Sequence, residues 1–557
     1  MQINRFVHAG LLGLWLILFP AVSSGQRIYG TNTAYAEGDW ISYTESRYVH
    51  SLQVAPELVY VATEGGILRY DFYQKKWLFP FTTSNGLAEN NVLAVAYDVG
   101  TRLLWCSTPS ALCVYDPGAK LWQNFFLDEL GFDPNDPVYS IGFNDAGTWF
   151  ETKNGNFYHT PLQEFRFERV NQNLVDTSVV WFGRRGFQRV PLETYFLPNS
   201  LLFIDDAKSY AIQDGEMRNF PLSYYTIDPW QTLWAGTAGM GLFTADTRLQ
   251  YMIPLPFGLL NPDVRAIGRY EGDFWLGGIR KTDRRRGVTR WNPARNRWNY
   301  YEAAFIPRFW SDEVNAISGY RGAIWFGTNY GLVRYDLGQD RWFSYTRFNG
   351  LQANEIFALE QGDRSLWVGT KEGLDRIWIT GGKKDSLRVQ HITPPAEKVA
   401  VYDVLWDGGR VWAATNYGLY VYESRTGKGG YYRGVNGPRA EVVMALDRSG
   451  DSLWVATLHT VEPYDLRREI WPGGSARRVF PDAILLDIAA NGSAVFVGTD
   501  QGLFKFNPAG GYWLRYTRRD GLLNNRVQKL LLQGDYLWIG SPEGLTRFYW
   551  NSPYRID

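Results

Sequence analysis

Several residue types that carry chemistry are scarce in this chain of 557 residues. It has two cysteines and five histidines, and Lys plus Arg equal Asp plus Glu at 57 each, so the formal net charge is zero. A balanced charge argues against nucleic acid or an anionic membrane as the partner, because both favour a strong basic excess. The histidines after residue 25 lie far apart, and no His-Glu-x-x-His motif occurs. The sequence therefore predicts no metal and no other cofactor.

Long apolar runs are missing except near the start of the chain. A basic stretch ends at Arg5, the apolar run Leu11 to Pro20 follows, and small residues close the segment at Gly25. This layout is typical of a secretory signal peptide, which we place at residues 1–25. No cysteine is positioned for lipid attachment, and no other run approaches the roughly 20 apolar residues of a bilayer crossing. We expect a periplasmic, extracellular or cell-surface protein without a transmembrane segment in the mature chain.

The two cysteines, Cys106 and Cys113, lie on either side of Pro109-Ser110. If that turn is the two-residue tip of a hairpin, the cysteines face each other across adjacent strands. An oxidising compartment would then allow a disulfide between them, and two buried thiols are the equally weighted alternative.

A motif of about a dozen residues recurs along nearly the whole chain. It reads Leu-Trp-Val-Gly-Thr from Leu366, then turns and continues with Gly373-Leu374. Each half alternates apolar and polar residues, which predicts a hairpin. A third alternating segment such as Trp513-Leu514-Arg515-Tyr516-Thr517 and an apolar fourth run such as Val527 to Leu532 complete the unit. Four strands in meander order make one blade of a β-propeller.

The leading aromatic residues mark twelve units, and from Trp325 onward they recur every 42 to 45 residues, the length of a four-stranded blade. They are Tyr60, Trp105, Trp149, Phe203, Trp234, Trp275, Trp325, Trp367, Trp412, Trp454, Phe496 and Trp538. The region from Trp149 to Trp234 is irregular, and Trp181 there marks either a degenerate unit or an insertion. Since one propeller usually has four to eight blades, we predict an all-β fold with two propellers of about six to seven blades each.

We place the first propeller at residues 40–290 and the second at residues 291–557. The opening segment 40–44 has the pattern of the outer strand of a unit but no hairpin before it, whereas the last unit lacks an outer strand. We therefore expect residues 40–44 to complete the last blade of the second propeller, which would join the chain ends in one blade and cover two strand edges.

The string Leu-Trp-Val-Gly-Thr-x-x-Gly-Leu with a following Trp-x-x-Tyr-Thr and Asp/Asn-Gly-Leu resembles the two-component-regulator propeller repeat. That repeat forms paired propellers in the ectodomains of hybrid two-component sensors, and similar propellers occur in a surface component of the type IX secretion machinery. The resemblance covers most of the mature chain and implies the fold. The membrane helix and kinase modules of the sensors have no counterpart before Asp557, and neither does the extra C-terminal domain of the secretion component.

By analogy of fold, the resemblance implies a secreted, non-enzymatic binding or scaffold protein, accessory to surface sensing or secretion. Its partner would be a glycan or a protein, met by the loops or by the groove between the propellers. A separate membrane kinase or secretion component is a further expected partner. The alternative is a secreted carbohydrate-active propeller enzyme, a hydrolase or lyase, although no catalytic residue is singled out by the sequence.

A Trp that recurs at the same strand position of each unit is interpreted as packing between blades rather than as a sugar platform. Better binding candidates are residues that depart from the repeat. One set, in residues 280–286, extends a hairpin with basic side chains that suit acidic, sulfate or phosphate groups. The alternative is that this hairpin tip is simply solvated. The other set, Arg308 and Trp310, lies in a segment that connects two blades. The predicted binding residues are Arg280, Lys281, Arg284, Arg285, Arg286, Arg308 and Trp310.

Overall fold

The computed structural model describes residues 29–30, 35–162, 164–205, 209–279, 287–307, 309, 311, 313–379, 387–432 and 442–555. Within these ranges the regular structure consists of β-strands and five short 3₁₀ turns, so the predicted all-β class is confirmed. None of the helical segments found there is long and apolar enough to cross a bilayer. The 3₁₀ turns are Thr83–Asn85, Gln172–Leu174, Ala303–Phe305, Arg347–Asn349 and Gly474–Ala476.

The C-terminal propeller has seven blades, each a sheet of four antiparallel strands. The first strand of each blade lies next to the first strand of the following blade, and the seventh blade lies beside the first, which closes the circle. Blade by blade, the strands are Ala266–Tyr270, Asp273–Gly277, Gly287–Asn292 and Arg297–Glu302; Val314–Tyr320, Ala323–Thr328, Gly331–Asp336 and Arg341–Tyr345; Ile356–Gln361, Leu366–Thr370, Gly373–Ile379 and Leu387–Ile392; Val401–Trp406, Arg410–Thr415, Gly418–Glu423 and Lys428–Tyr431; Val443–Ser449, Ser452–Thr457, Thr460–Asp465 and Arg478–Val479; Leu485–Ala490, Val495–Thr499, Gly502–Asn507 and Tyr512–Tyr516; and Lys529–Gln533, Tyr536–Ser541, Gly544–Tyr549 and Trp40–Tyr43.

The outer strand of the seventh blade comes from the N-terminal part of the chain. Trp40–Tyr43 pairs antiparallel with Gly544–Tyr549, in a register that sets Trp40 opposite Phe548. The two aromatic rings stack with their centroids 3.8 Å apart, and the hydroxyls of Ser42 and Thr546 are hydrogen-bonded at 2.7 Å. The prediction that the chain ends meet in one blade is confirmed.

The N-terminal propeller contains four complete meanders. Its first strand, Val49–Val54, lies between Ala94–Tyr97 of the second meander and Asn219–Ile227 of the last, so the first and last meanders are neighbours. A two-residue strand, Tyr29–Gly30, pairs with the outer edge of the second meander. The strands are Val49–Val54, Leu58–Thr63, Gly66–Asp71 and Lys76–Trp77; Ala94–Tyr97, Leu104–Ser107, Ala111–Asp116 and Leu121–Phe126; Val138–Asn144, Gly147–Thr152, Phe157–Pro161 and Glu168–Val170; and Asn219–Ile227, Thr232–Thr237, Leu242–Asp246 and Ile253–Leu255.

One unit of the N-terminal propeller is incomplete, in the region that the repeat pattern marks as irregular. The strand around Trp181, Val180–Gly183, pairs with Val138–Asn144 of the preceding meander and starts no blade of its own. Leu201–Ile204 and Tyr210–Gln213 form a hairpin that continues into the first residues of Asn219–Ile227. This propeller therefore has four complete blades and one of three strands, against seven complete blades in its neighbour.

The first strand of the C-terminal propeller begins earlier than the predicted domain limit. A division at 290/291 would fall within the strand Gly287–Asn292, in the middle of one four-stranded sheet. We therefore propose that the two propellers are divided between Leu255 and Ala266.

The repeated aromatic residues pack between blades. Trp325, Trp367 and Trp412 are at most 1% exposed, and each lies in the second strand of its blade. Trp325 belongs to an apolar cluster that includes residues of the following blade, and Trp367 lies 6.0 Å from Trp406 of the next one. Burying each ring contributes a few kcal/mol. The structural interpretation of the Trp repeat agrees with these contacts, and the half-buried Phe203 of the incomplete blade departs from it.

The two propellers share one apolar core. It joins side chains of the first N-terminal blade, such as Val59, to side chains of the C-terminal propeller, such as Trp291 and Trp538. The two crossing segments between the propellers are also bonded to each other. The buried Arg47 donates to Glu45 at 2.7 Å and to the carbonyl oxygen of Leu260 at 3.0 Å. The propellers are therefore packed side by side, and the chain crosses between them through a buried ion pair.

Replacing the N-terminal tryptophan of the closing strand should destabilise the C-terminal propeller. We expect Trp40→Ala to lower the free energy of unfolding by about 3–5 kcal/mol, because it leaves a cavity against Phe548. Trp230→Ala is the matched control, since that side chain is 54% exposed and its loss should cost under about 1 kcal/mol. Urea unfolding measures both, and equal losses would contradict the role of the closing strand.

Candidate functional site

The predicted binding residues Arg280, Lys281, Arg284, Arg285, Arg286, Arg308 and Trp310 all lie outside the described residues, so their role stays a prediction. In sequence, the basic segment 280–286 lies between the strands Asp273–Gly277 and Gly287–Asn292 of the first C-terminal blade. In the other segment, Phe309 is buried and stacks on Trp342 at 5.8 Å. Phe309, which lies between the predicted contact residues Arg308 and Trp310, therefore belongs to the core.

The two cysteines face each other as the turn between them predicts. Cys106 pairs with Cys113 across the strands Leu104–Ser107 and Ala111–Asp116. Both are fully buried free thiols in this structure, and burial raises the pKa of Cys106 well above its usual value. The disulfide stays a prediction.

Three of the described histidines are held by hydrogen bonds within the fold. Nδ1 of His50 bonds to the carbonyl oxygen of Val92 at 2.9 Å, and Nδ1 of His459 bonds in the same way to Ala483. Nδ1 of His391 bonds to the buried Asp375 at 2.7 Å. Among the residues that the structure describes, no group of three or more His, Cys, Asp or Glu side chains could hold a metal ion.

A cavity of about 460 Å³ lies on the axis of the C-terminal propeller. It is lined by the first strands of the third to seventh blades and by the turns that follow some of them, so it faces the side of the propeller that carries those turns. A second cavity of about 380 Å³ adjoins it along Leu531 and Leu532. The charged residues lining the larger cavity are Glu360, Asp403, Asp447, Asp487 and Lys529. We call this cavity the axial pocket.

The repeat places these side chains at two equivalent levels. Asp403 and Asp487 each stand two positions after the buried Val401 or Leu485 that opens its strand, and Lys529 stands two positions after the buried Val527. Glu360 and Asp447 stand two positions further along in the repeat. Side chains two apart in a strand point to the same side. Because the first strands surround the axis, all five point into the pocket, where the other blades carry Ala, Leu, Ser or Gly.

Each carboxylate also connects its blade to the next. Asp403 accepts a hydrogen bond from the N–H of Leu446 at 2.8 Å, and Asp447 accepts one from Ala490 at 2.6 Å. Asp487 accepts from the N–H of Leu530 at 2.7 Å and from Nζ of Lys529 at 3.0 Å. First strands that diverge from the axis cannot pair directly with one another, so these bonds connect neighbouring strands instead. Each acid is thereby held in one position. The pocket is therefore a rigid arrangement of charges.

Burial makes part of this acid set hold protons near neutral pH. It raises the pKa of Glu360 to about 7, to which the nearby Asp403 and Asp447 contribute. Burial likewise raises the pKa of Asp403 and of Asp447 to about 6 each. For Lys529, burial alone would lower the pKa, but Asp487 and Asp403 hold it above its usual value. Between about pH 5 and 8 these three acids therefore lose their protons, and the pocket becomes more negative.

The fully ionised pocket has four carboxylates against one ammonium group. Such a site attracts a positively charged group and repels anions. Sequence reasoning missed it, because single acids in apolar runs resemble ordinary strand alternation. The available signal was the recurrence of Asp at one repeat position, in Val401-Tyr402-Asp403 and in Leu485-Leu486-Asp487.

No protein-family model matches this chain, and no curated protein matches it. Among solved structures, the chain is similar to the extracellular domain of the putative one component system BT4673 from B. thetaiotaomicron, with 16% sequence identity and a TM-score of 0.45, over 90% of this chain and 75% of that one. It is also similar to PorZ, an essential bacterial surface component of the type-IX secretion system of Porphyromonas gingivalis, with 14% identity and a TM-score of 0.44, over 90% of this chain and 74% of that one.

A third similarity covers about half of the chain. A catalytically inactive virginiamycin B lyase from Staphylococcus aureus is 12% identical with a TM-score of 0.42, over 53% of this chain and 97% of that one. The first two neighbours are of the kinds whose paired propellers the repeat resembles, an extracellular sensor domain and a surface secretion component. At these identities the similarities carry no argument about ligand or chemistry.

Neutralising one axial acid should change how stability depends on pH. An acid whose pKa is raised by folding holds its proton more tightly in the folded state, so folding is favoured below the unfolded pKa of about 4 and that advantage disappears as pH rises through the folded pKa. The wild type should lose this advantage between pH 4.5 and pH 8, and Asp447→Asn should not. The free energy of unfolding of Asp447→Asn should therefore rise by about 1–2 kcal/mol relative to that of the wild type over this range.

Urea unfolding at the two pH values measures this difference. Asp482→Asn, in an exposed loop, is the control and should follow the wild type at both. An Asp447→Asn curve parallel to that of the wild type would mean that Asp447 titrates as in water.

Proposed function

We propose that this chain is an exported, non-enzymatic binding protein whose C-terminal propeller takes a cationic group of a glycan or protein partner in the axial pocket. The observation that supports it best is the set of four carboxylates around one cavity of about 460 Å³. That volume suits a small group such as an amino-sugar residue or a basic side chain. Lys529, bonded to Asp487, leaves the other three acids for the ligand.

Binding accounts for the way the acids are held better than catalysis does. Both carboxylate oxygens of Asp403 accept main-chain N–H groups, from Val404 and from Leu446. Asp447 is held in the same manner by Arg448 and Ala490. Groups fixed in this way act as stationary charges, because moving one breaks a connection between blades. A preorganised negative site binds a cation without rearrangement.

The cellular setting belongs to the same proposal. The predicted signal peptide at residues 1–25 and the surface or extracellular setting of the structural neighbours support export. We propose that the protein works at the cell surface or in the periplasm, beside a separate membrane kinase or secretion component that receives the bound state.

One observation favours the alternative, a carbohydrate-active enzyme. Glycoside hydrolysis uses a protonated carboxylic acid beside an ionised carboxylate, and pairs of acids with separated pKa values indicate such roles. Glu360, whose pKa is raised to about 7, would be the acid. It accepts a longer hydrogen bond of 3.3 Å from the N–H of Trp406, so it is held less tightly than the aspartates.

Isothermal titration with oligo-glucosamine and with oligolysine tests the proposal. We expect saturable binding of at least one of them. Oligolysine, whose amines stay protonated over this range, should bind at least tenfold more tightly at pH 8 than at pH 5 as Glu360, Asp403 and Asp447 ionise. The N-acetylated sugar oligomer, which has no charge, is the matched ligand control and should not bind.

Protein variants distinguish the pocket from general surface charge. Glu360→Gln and Asp447→Asn should each weaken binding at pH 8 at least tenfold, whereas Asp482→Asn should not. Hydrolysis of the oligomer by the wild type that is lost in Glu360→Gln would favour the enzyme instead. Absence of binding by every cationic probe would rule out the proposal.

A further inference from the structure

The strand Leu201–Ile204 in the incomplete blade of the N-terminal propeller has one free edge. It pairs with Tyr210–Gln213 on one side, and within the described ranges no strand pairs with its other side. Leu201 is 58% exposed and Ile204 is 48% exposed. Backbone groups and apolar side chains are thus presented together at this edge.

Comparison with the complete blades shows what is missing there. In each complete blade, the strand that carries the leading aromatic pairs with the first strand, as Trp325 does opposite Ser318. Phe203 occupies the leading position of its own unit, but the preceding strand, Val180–Gly183, is paired with the neighbouring blade. The incomplete blade therefore has its second, third and fourth strands and lacks its first.

The hydrogen-bonding phase of the free edge follows from one contact. The N–H of Asp205 donates to the carbonyl oxygen of Ser209 at 2.8 Å. Alternate residues of the strand, Phe203 and Leu201, therefore also direct their backbone groups to the partner strand Tyr210–Gln213. In an antiparallel pair the intervening residues point their N–H and C=O groups to the other side. Leu202 and Ile204 therefore direct theirs to the open edge.

This edge also lacks the protection seen on other outer strands of the protein. Arg297–Glu302, Arg341–Tyr345 and Lys428–Tyr431 carry charged residues, and Ile253–Leu255 contains a proline. Charges and prolines of this kind keep strand edges from pairing with other chains. Leu201–Ile204 has neither.

We propose that this edge binds an extended apolar peptide segment of a partner protein, which pairs antiparallel to Leu201–Ile204 and completes the blade. The other first strands of the protein, such as Ile356–Gln361 and Leu485–Ala490, show the chemistry that fits: a short run of mostly Leu, Ile, Ala and Phe with one or two polar residues. A single strand adds about 4.8 Å to a sheet, which suits a position inside a propeller. A second copy of this chain would bring its own sheet and propeller into that space. The site lies on the N-terminal propeller and is independent of the axial pocket.

A labelled peptide that copies Val443–Ser449 is the probe, and fluorescence polarisation measures its binding. The wild type should bind it saturably. Ile204→Pro should weaken binding at least tenfold, because proline removes the outward N–H while no bond to the hairpin depends on that group. Ile204→Val is the matched control and should bind within about twofold of the wild type. Thermal unfolding checks that the proline variant is folded.

Two further measurements make the result decisive. The same peptide N-methylated at alternate residues, which cannot form the ladder, should not bind. In hydrogen exchange, the amides of Leu202 and Ile204 should slow at least tenfold when the peptide is present. Absence of peptide binding, binding unchanged in Ile204→Pro, or a dimer of the wild type that Ile204→Pro dissolves would each overturn the proposal.

Discussion

The pairing of Trp40–Tyr43 with Gly544–Tyr549 is the constraint on which the rest of the structure depends. It supplies the outer strand of the seventh blade and so joins the two ends of the C-terminal propeller. After this strand the chain forms the N-terminal propeller and returns at Ala266 to form the other strands of the C-terminal propeller. The whole N-terminal propeller is therefore inserted between one strand of the C-terminal propeller and the rest of it. The shared apolar core and the buried pair of Arg47 and Glu45 follow from this path.

Closure also explains how a charged pocket can exist on the axis. Seven first strands that surround one axis diverge from each other along their length, and their main-chain groups need partners where direct pairing is impossible. Carboxylates such as Asp403 and Asp487 supply those partners and at the same time bring negative charge into one cavity. One set of residues thus holds the blades together and forms the site, so its geometry is fixed before any ligand arrives.

The sequence predicted those features that every copy of the repeat carries. The leading aromatics mark second strands because a Trp at a constant position must pack against the next blade, and the outer-strand pattern at Trp40 identified the closing strand. The turn between Cys106 and Cys113 gave their cross-strand register. Each of these is a local pattern that one unit reveals on its own.

What the sequence did not reveal depends on several units at once. Glu360 and Asp447 lie in different blades, and only the closed circle brings them to one cavity. The repeat marked the region of the incomplete blade as irregular, but it did not show which strand that blade lacks. Trp181-Phe182-Gly183 looks like the start of a unit, but no Gly-Leu strand follows it to form a hairpin, so it pairs with the preceding blade instead. The predicted basic and aromatic contact residues lie outside the described residues and stay predictions.

Native-state hydrogen exchange of the intact protein tests the central claim most directly. If the closing strand is part of the C-terminal propeller, the amides of residues 40–43 and 544–549 open together, with the same free energy and as slowly as the inner strands of that propeller. Exchange of residues 40–43 within seconds, while residues 544–549 and the inner strands stay protected, would contradict the account.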